Sequence, residues 1–422
     1  MPPPALSAEF EIVILSDFAH PNGGAAVVAL NSARHMAISG IPVTIFSAVG
    51  PVDKTLVGVP NLQVICLGQE EIIKNPRRVQ AFIRGINNTP AVKALGHLLA
   101  GKDPARTIVH AHQWSKALSP AILGAALDMG FKIVLTMHDF FVVCPNGGFF
   151  VYPKLELCHR TPLSVSCLGC RCDRRSGGHK LWRTARTWAQ NSWWHVAQRV
   201  HQFIGVSEFS IDIVRKYLPP GAPVELVACP CECPRHPPAP VRDNDLFLFV
   251  GRLVPEKGPR LLAEAARRLG LKAVFVGDGE LRDQLGREYP EHHWAGWLDP
   301  RSVNSWMQRA RALVFPSLWY ETLGLVVVEA AAQGVPAVVA DNSAASRFIA
   351  KDRCGLHFHQ GSVDSLTAQL QRLRDPEFAS RLGQQAYDWY WERPWTMAAH
   401  AEKLTALYAR MLPTAPAPIS RT

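Results

Sequence analysis

The chain has 422 residues, of which 48% are hydrophobic and 19% charged, and its formal net charge is +10. This composition predicts two or three globular domains and excludes a disordered chain or a repeat array, and no apolar run reaches the roughly 18 residues that span a bilayer. The positive charge suits an anionic substrate or membrane surface, but without a Lys/Arg block, a zinc finger or an RNP pattern we expect no nucleic-acid partner.

The N-terminal segment, MPPPALSAEFEIVIL, has neither the basic region nor the long apolar core of a signal peptide. We therefore expect a cytoplasmic protein. Ten cysteines occur, and eight of them fall between Cys144 and Cys233. In a reducing compartment this distribution does not indicate a disulfide framework.

Strands and helices alternate along the first half of the chain. Strands are predicted at 10–16, 43–47, 107–110 and 132–136, and helices at 25–39 and 118–127. The alternation predicts a parallel sheet covered by helices on both faces. Ligands of such sheets bind beyond the carboxyl ends of the strands, so polar residues that follow strands are the candidates for a site.

Two glycines, Gly23 and Gly24, follow the first strand and open the first helix. They either let a phosphate approach the backbone closely or form a plain tight turn. The spacing is not G-x-G-x-x-G, and the second strand ends Phe46-Ser47-Ala48 without an acid for a ribose. Both features argue against a nicotinamide-dependent enzyme.

His138 follows the strand at 132–136, where it could hydrogen-bond a sugar hydroxyl. A single histidine is more often structural than catalytic. His110 and His112, at the end of the preceding strand, are weaker candidates.

Four cysteines, Cys158, Cys167, Cys170 and Cys172, have the spacing C-x8-C-x2-C-x-C. In a cytosolic chain this pattern is compatible with a structural zinc ion, with an iron–sulfur cluster, or with free or redox-active thiols. We expect any metal bound there to hold a loop rather than to take part in chemistry.

A helical stripe of apolar residues follows the cysteines and comprises Trp182, Ala185, Ala189, Trp193, Val196 and Val200. Its basic, tryptophan-bearing helix could rest on an anionic bilayer. We favour the alternative, a stripe that faces the core while Lys180, Arg183 and Arg186 lie on a solvated face.

A proline-rich stretch at 229–240 is predicted to be a linker, after which a second series of elements begins. Strands are predicted at 246–250, 273–276 and 293–297, and helices at 260–269, 280–287 and 300–310. The predicted fold class is therefore α/β, with two Rossmann-like doubly wound domains facing each other across a cleft. We expect domains at 1–234, which carries the cysteine-rich insertion, and at 235–395, a helix at 396–412 that packs back on the first domain, and a loose tail at 413–422.

Two cations follow the first strand of the second domain, in the segment Gly251-Arg252-Leu253-Val254-Pro255-Glu256-Lys257-Gly258. Arg252 can bind phosphate through two hydrogen bonds and Lys257 adds a point charge, so together they could neutralise a leaving diphosphate without metal. The alternative is two ordinary surface cations. The acidic segment Asp243-Asn244-Asp245 precedes its strand, which is the wrong end for a ligand site, so we expect it to be solvated.

Two carboxylates, Glu321 and Glu329, stand eight positions apart around a predicted strand-loop-helix junction. The strand is predicted at 312–315, the helix at 325–332 and the next strand at 337–340. The backbone N–H groups of Leu323, Gly324 and Leu325 would form a helix N-terminus that attracts an anion. An anion site with two diol-binding acids suits a nucleotide sugar, whereas the alternative is two solvated acids.

These segments, in this order, resemble glycosyltransferase family 4, whose members are retaining enzymes of the two-domain GT-B fold. The resemblance runs from Gly23-Gly24 to about residue 390. It is strongest over 246–340. Its segments there are Gly251-Arg252 with Glu256-Lys257-Gly258, Gly277-Asp278-Gly279, Pro316-Ser317, Glu321 with Glu329, and Gly334-Val335-Pro336.

The resemblance implies a role for each matching residue. The Gly24 amide, Arg252 and Lys257 would bind the donor diphosphate, and the two cations would stabilise it as it leaves. Glu321 would contact hydroxyls of the donor sugar near the amides of Leu323, Gly324 and Leu325. Glu329 would hold the ribose diol, and His138 would lie beside the transferred sugar. The resemblance implies that catalysis needs no cofactor or metal, in agreement with the two cations at the diphosphate. It also implies that no dedicated base is required, because the leaving phosphate itself helps to deprotonate the acceptor hydroxyl.

We therefore expect a nucleotide-diphosphosugar donor and a glycan or lipid-linked acceptor, as in cell-surface polysaccharide or glycolipid assembly, with contact to the inner face of the membrane. One departure from the family pattern concerns the donor sugar: residues 341–347 read DNSAASR, where similar enzymes often have Gly-Gly-x-x-Glu. The alternatives are a nucleotide-sugar epimerase of the same fold and a metal- or redox-sensing binding protein built on the cysteine cluster.

Overall fold

The computed structural model describes residues 10–349 and 353–413. The N-terminal domain is built on a parallel sheet of seven strands, in the order β3-β2-β1-β4-β5-β8-β9, with a separate two-stranded hairpin β6-β7. The strands are β1 (Glu11–Phe18), β2 (Val43–Val49), β3 (Leu62–Cys66), β4 (Thr107–Ala111), β5 (Lys132–Met137), β6 (Phe150–Val151), β7 (Glu156–Leu157), β8 (Gln202–Gly205) and β9 (Val224–Leu226). The helices are α1 (Gly24–Ile38), α2 (Arg78–Ile86), α3 (Thr89–Ala100), α4 (Ala121–Asp128), α5 (Val165–Leu168), α6 (Gly177–Ser192), α7 (Val196–Arg199) and α8 (Glu208–Arg215).

The C-terminal domain contains a second parallel sheet, of six strands in the order β12-β11-β10-β13-β14-β15. The strands are β10 (Leu246–Val250), β11 (Lys272–Val276), β12 (His293–Gly296), β13 (Ala310–Phe315), β14 (Ala337–Ala340) and β15 (Gly355–Phe358). The helices are α9 (Pro259–Leu269), α10 (Arg282–Glu288), α11 (Pro300–Gln308), α12 (Leu325–Ala332), α13 (Ala345–Phe348), α14 (Val363–Arg372), α15 (Pro376–Glu392) and α16 (Met397–Met411). The predicted fold class, two Rossmann-like parallel α/β domains, is confirmed.

The central strands are continuously apolar because helices cover both faces of each sheet. In β1 every residue after Glu11 is buried, and all of β4 is buried. Each domain has its own core: one gathers around β10 and β13, and the other lies on the two faces of the N-terminal sheet.

The last helix, α16, packs against α1 of the N-terminal domain. Leu404, Leu407 and Tyr408 lie in the same apolar cluster as Ile12 and Ile108 of the sheet. The Tyr408 hydroxyl lies 2.6 Å from His110 Nδ1. The chain therefore returns to the first domain after building the second. Residues 414–422 of the predicted tail lie outside the described residues.

The segment 227–240 contains no helix or strand, as expected for a linker. It is not a solvated tether, however, because Cys229 and Cys231 are buried. Cys231 joins the core of the C-terminal domain, and Cys229 packs with Val28, Val206 and Leu323 between the domains. The linker thus fixes part of the contact between the two halves.

The orientation predicted for the helix after the cysteines is right only in part: Ala189, Val196 and Val200 of the stripe are buried as expected, but two of the three cations are buried as well. Lys180 and Arg186 are buried, whereas Trp193 is 58% exposed. The stripe also breaks, since α6 ends at Ser192 and His195 takes a left-handed conformation with φ 47°. Arg186 faces inward because its Nη1 donates to Ser115 O at 2.8 Å and its guanidinium lies 4.8 Å from the Phe141 ring centroid. Burial, together with the nearby Arg183, lowers the pKa of Arg186 to about 10.

Candidate active site

The loops that follow β10 and β13 meet because the two strands are neighbours in the C-terminal sheet. Lys257, on the first loop, forms an ion pair with Glu321, on the second. The Leu318 N–H also donates to Glu256 O at 2.9 Å, which joins the two backbones. Two residues that the sequence predicts as separate donor contacts therefore form one ion pair.

Glu321 is a buried carboxylate whose Oε1 accepts three hydrogen bonds. They come from Lys257, from Ser317 Oγ at 2.7 Å and from Trp319 Nε1 at 2.6 Å. Burial alone would raise the pKa of Glu321, but the Lys257 charge and these hydrogen bonds hold its pKa below the ordinary value. Glu321 is therefore ionised at neutral pH. No hydrogen bond to its Oε2 forms among the described residues, so that oxygen can accept from a ligand.

Gly258 permits this approach of the two loops. It has φ 65°, and a Cβ atom there would lie 2.2 Å from Pro316 O. Both the left-handed conformation and the lack of space require glycine. Gly258 is thus required for the close approach of the two loops that brings the Lys257 ammonium to Glu321.

Glu329 lies on the second turn of α12 and is half-buried. Burial raises its pKa, and among the described residues it has no hydrogen-bond or ion-pair partner. Gly324, with φ 87°, precedes the helix, and the first helical hydrogen bond runs from Val327 N–H to Gly324 O. The N–H groups at Leu323, Gly324 and Leu325 therefore lie at a helix N-terminus between the two glutamates, as predicted.

Arg252 is on the same loop as Lys257, but its side chain is 59% exposed. Its Nη2 atom lies 3.9 Å from Glu256 Oε1. The Arg252 guanidinium is thus exposed to solvent at the end of the sheet, with one distant ion-pair partner among the described residues, Glu256.

On the N-terminal domain, Gly23 (φ 83°) caps α1 and Gly24 is its first residue. A Cβ atom at either position would meet no atom within 4 Å, so the space in front of this helix is open. The first helical N–H groups face a space that a phosphate could fill.

His138 belongs to a stacked group of histidines. Its Nε2 lies 3.0 Å from His112 Nδ1, and the two rings are 5.3 Å apart. Burial, and secondarily the nearby His400, lowers the pKa of His138 to about 3, so the imidazole is neutral near pH 7. It can exchange hydrogen bonds with a hydroxyl but carries no charge.

Two residues that the sequence did not single out bring the domains together at this point. Thr322 Oγ1 donates to His138 O at 3.0 Å, and Ser207 Oγ donates to Thr322 O at 2.5 Å. Ser317 and Trp319 were also missed as supports of Glu321, although they stand within four positions of it. No local pattern marks Ser207, because its partner lies 115 positions away.

One cysteine of the insertion contacts a buried lysine: Lys180 Nζ lies 3.4 Å from Cys167 Sγ. All ten cysteines are free. In the part of the chain that the structure describes, no three His, Cys, Asp or Glu side chains are arranged to hold a metal ion. Zinc binding by Cys158, Cys167, Cys170 and Cys172 stays a prediction without support from this geometry.

Two family models match the chain, one on each domain. The model described as Glycosyltransferase Family 4 matches residues 22–233, half of the chain. The model described as Glycosyl transferases group 1 matches residues 235–389. Together they cover both loops of the candidate site and the helix that begins at Gly24.

The chain is also similar to individual glycosyltransferases and to solved structures of such enzymes. Glycogen synthase of Mycobacterium tuberculosis is 26% identical over 310 residues, which cover 65% of this chain and 72% of the relative. Sucrose-phosphate synthase of Thermosynechococcus elongatus superposes with a TM-score of 0.71 at 19% identity, over 95% of this chain and 99% of that structure. The Anabaena protein HepE in complex with UDP-glucose gives 0.65 at 16% identity, over 95% and 99%. At 19% and 16% identity, these two superpositions show a shared fold and nothing further.

Proposed function

The chain belongs to glycosyltransferase family 4, and from this premise we propose that it is a retaining enzyme that moves a sugar from a nucleotide diphosphosugar to a hydroxyl of a glycan or lipid-linked acceptor. The observation that carries this proposal is the arrangement of Lys257 on the loop after β10, Glu321 on the loop after β13 and Glu329 on α12. One carboxylate is ionised and has an oxygen to spare, and the other has no partner among the described residues.

The donor would lie across this arrangement with its diphosphate near Arg252, Lys257 and the N-terminus of α1. Two cations and helical N–H groups favour the charge that develops on the leaving diphosphate. Glu321 Oε2 would accept from hydroxyls of the sugar, and Glu329 from the ribose diol. Neutral His138 would exchange a hydrogen bond with the sugar.

The bond changes need no dedicated protein base. The C1–O bond of the donor breaks, a bond from C1 to the acceptor oxygen forms on the same face, and the acceptor proton passes to the leaving phosphate oxygen. Metal-independent transfer is part of this proposal, because Arg252 and Lys257 supply two positive charges where other sites use a divalent cation.

UDP is the nucleotide we propose first, since the structural neighbour HepE is described in complex with UDP-glucose. The sugar is expected to depend on residues 341–347, which touch Glu321 directly: the Ala344 N–H lies 3.3 Å from Glu321 O. Asp341 accepts from Gln360 N at 3.0 Å and lies 3.1 Å from His359 Nδ1, so its carboxylate holds the neighbouring loop.

A radiolabelled transfer assay tests the proposal. We expect transfer from one member of a panel of UDP-, GDP- and ADP-sugars to a lipid-linked or polysaccharide acceptor, with retained anomeric configuration. Transfer should persist at full rate in EDTA, and added Mg²⁺ or Mn²⁺ should change it little, because the cations at the diphosphate are side chains.

Three results would contradict parts of this proposal. Sugar isomerisation without an acceptor would indicate the epimerase. Stoichiometric metal together with no nucleotide binding would indicate the sensor built on the cysteine cluster. Loss of transfer in EDTA with recovery on Mg²⁺ addition would exclude metal-independent catalysis.

We also propose that the protein contacts an anionic membrane through the surface formed by α2 and α6. These helices contain no Asp or Glu, and α2 carries Arg78 and Arg84. Exposed apolar side chains lie on the same two helices: Val79, Phe82, Ile83, Leu181 and Trp188. Apolar groups beside cations suit the interface of a bilayer with anionic lipids. Within the described residues, none of the helices has the length and apolar content that crossing a membrane requires.

Vesicle co-sedimentation tests this surface. Wild-type protein should bind vesicles that contain phosphatidylglycerol more tightly than phosphatidylcholine vesicles, and Phe82→Ser with Ile83→Ser should weaken binding about tenfold or more, because each apolar side chain leaves the interface. The matched control is Trp297→Ser, an exposed residue of the C-terminal domain. Equal binding by both variants would exclude the α2–α6 surface as the contact.

A further inference from the structure

An ion-pair cluster joins the segment before α6 to the C-terminal domain. Arg174 Nη1 lies 3.3 Å from Glu256 Oε1, and its Nη2 lies 2.6 Å from Glu280 Oε2. Arg174 belongs to the N-terminal domain, whereas Glu256 and Glu280 follow β10 and β11 of the other sheet. These pairs therefore bridge the cleft beside the loop after β10, which the proposed function assigns to the donor diphosphate.

Glu256 is an unusual site for a negative charge, since it is 1% exposed. Its Oε1 lies between Arg174 and Arg252, at 3.3 and 3.9 Å, and its Oε2 has no hydrogen-bond partner within the described ranges. A buried carboxylate is costly unless cations compensate it. Of its two cations, Arg252 is the one that the proposed function assigns to the donor.

The two roles of Arg252 conflict if Glu256 has no other cation. The carboxylate would then hold the guanidinium, and its negative charge would oppose an incoming diphosphate. Arg174 supplies the compensating charge from the opposite domain. Arg252, which is more than half exposed, is then available to the donor.

The segment that carries Arg174 is fixed to its own domain. Asp173 Oδ2 lies 3.2 Å from Arg183 Nη1 on α6, and Asp173 Oδ1 accepts from Arg175 N at 2.8 Å. The Asn146 amide donates to Cys172 O at 2.9 Å. Arg174 therefore moves with the N-terminal domain, and separation of the domains would remove it from Glu256.

We propose that Arg174 is a positioning residue of the transfer reaction: it neutralises Glu256 when the domains come together and so leaves Arg252 free to bind the donor diphosphate. This inference rests on the proposed function. It also assigns a task to the cysteine-rich insertion, which carries Arg174 to the C-terminal domain.

Donor affinity in full-length variants tests the proposal, measured as the Kd of UDP by calorimetry and as KM and kcat of transfer. Arg174→Met is expected to raise Kd and the donor KM about ten- to hundredfold, with a smaller effect on kcat, because Glu256 then holds Arg252. Arg174→Lys keeps the charge and should restore part of the affinity. Arg175→Met, the adjacent arginine, is the matched control and should bind UDP as the wild type does.

A second substitution separates positioning from folding. In Arg174→Met with Glu256→Gln no buried unpaired carboxylate remains, because Glu280, the other partner of Arg174, is half exposed to solvent. UDP affinity should therefore return toward that of the wild type, whereas a variant that merely misfolds would not recover. Wild-type affinity in Arg174→Met, or no recovery in the double variant, overturns the proposal while sugar transfer by the wild type still stands. A wild type that neither transfers sugar nor binds UDP, GDP or ADP would overturn the proposed function and this inference with it.

Discussion

Replacing Glu321 by glutamine should lower kcat/KM for sugar transfer about ten- to hundredfold. Glu321 Oε1 accepts hydrogen bonds from Lys257, Ser317 and Trp319, and the carboxylate is ionised in a buried site. Glutamine keeps the shape but loses the charge, and a hydrogen bond to a charged group contributes about 1.5–3 kcal/mol. We expect the substitution to weaken the contact with the donor sugar and to displace the Lys257 ammonium. Steady-state kinetics with the donor identified by the panel would measure the loss.

A matched substitution on the same domain controls for the removal of an ion pair as such. Glu288 pairs with Arg260 on the surface, and both side chains are well exposed. Exposed pairs contribute about 0–1 kcal/mol, so Glu288→Gln should leave kinetics unchanged. If Glu321→Gln transferred sugar with the kcat/KM of the wild type, the role of Glu321 at the donor would have to be abandoned.

The contribution of three buried histidines to the free energy of unfolding should fall by several kcal/mol as the pH falls from 7 to 5, and Asp139, whose pKa burial raises to about 6, should offset only part of this loss. His110, His112 and His138 form one stacked group, and burial, followed by the other histidines, lowers the pKa of each below 6.5. The unfolded chain takes up protons near pH 6.5, whereas the folded protein does not until the pH is far lower. Stability is therefore complete above about pH 6.5 and declines below it, by about 1.4 kcal/mol per pH unit for each histidine.

Denaturant unfolding at several pH values would measure this decline. His112→Asn removes one of the three groups, so its stability should depend on pH less steeply than that of the wild type between pH 6.5 and 5. His236→Asn, at an exposed position of the linker, should leave the dependence unchanged. The same pH dependence of stability in the wild type and in His112→Asn would show that the buried imidazoles do not titrate as their burial requires.

The His110–His112–His138 group also limits what His138 can do in catalysis. An imidazole that stays neutral down to about pH 3 cannot act as the acid near pH 7. Its position at the end of β5, next to Thr322 of the other domain, favours contact with substrate or support of domain closure. This agrees with a reaction in which the leaving phosphate accepts the proton.

Local sequence pattern is sufficient to predict the strands, helices and loop positions around the candidate site. Buried apolar runs ended by Pro316 and Gly334 placed β13, α12 and β14 close to their observed bounds, with α12 at Leu325–Ala332 and β14 at Ala337–Ala340. Since ligands of parallel sheets lie beyond the strand ends, the same pattern pointed to Arg252, Lys257 and Glu321. The family was recognisable for the same reason, because its segments occur in a fixed order along the chain.

Local pattern does not predict which of these residues are in contact or which face of a helix is buried, because both depend on segments that are distant along the chain. The pairing of Lys257 with Glu321 and the placement of Arg174 on Glu256 join positions 64 and 82 residues apart. The cations of α6 were predicted wrongly to be solvated, because Arg186 obtains inside the protein the hydrogen bond and aromatic contacts that offset its burial. Periodicity reports how apolar a face is, but burial of a cation depends on partners that arrive from distant segments.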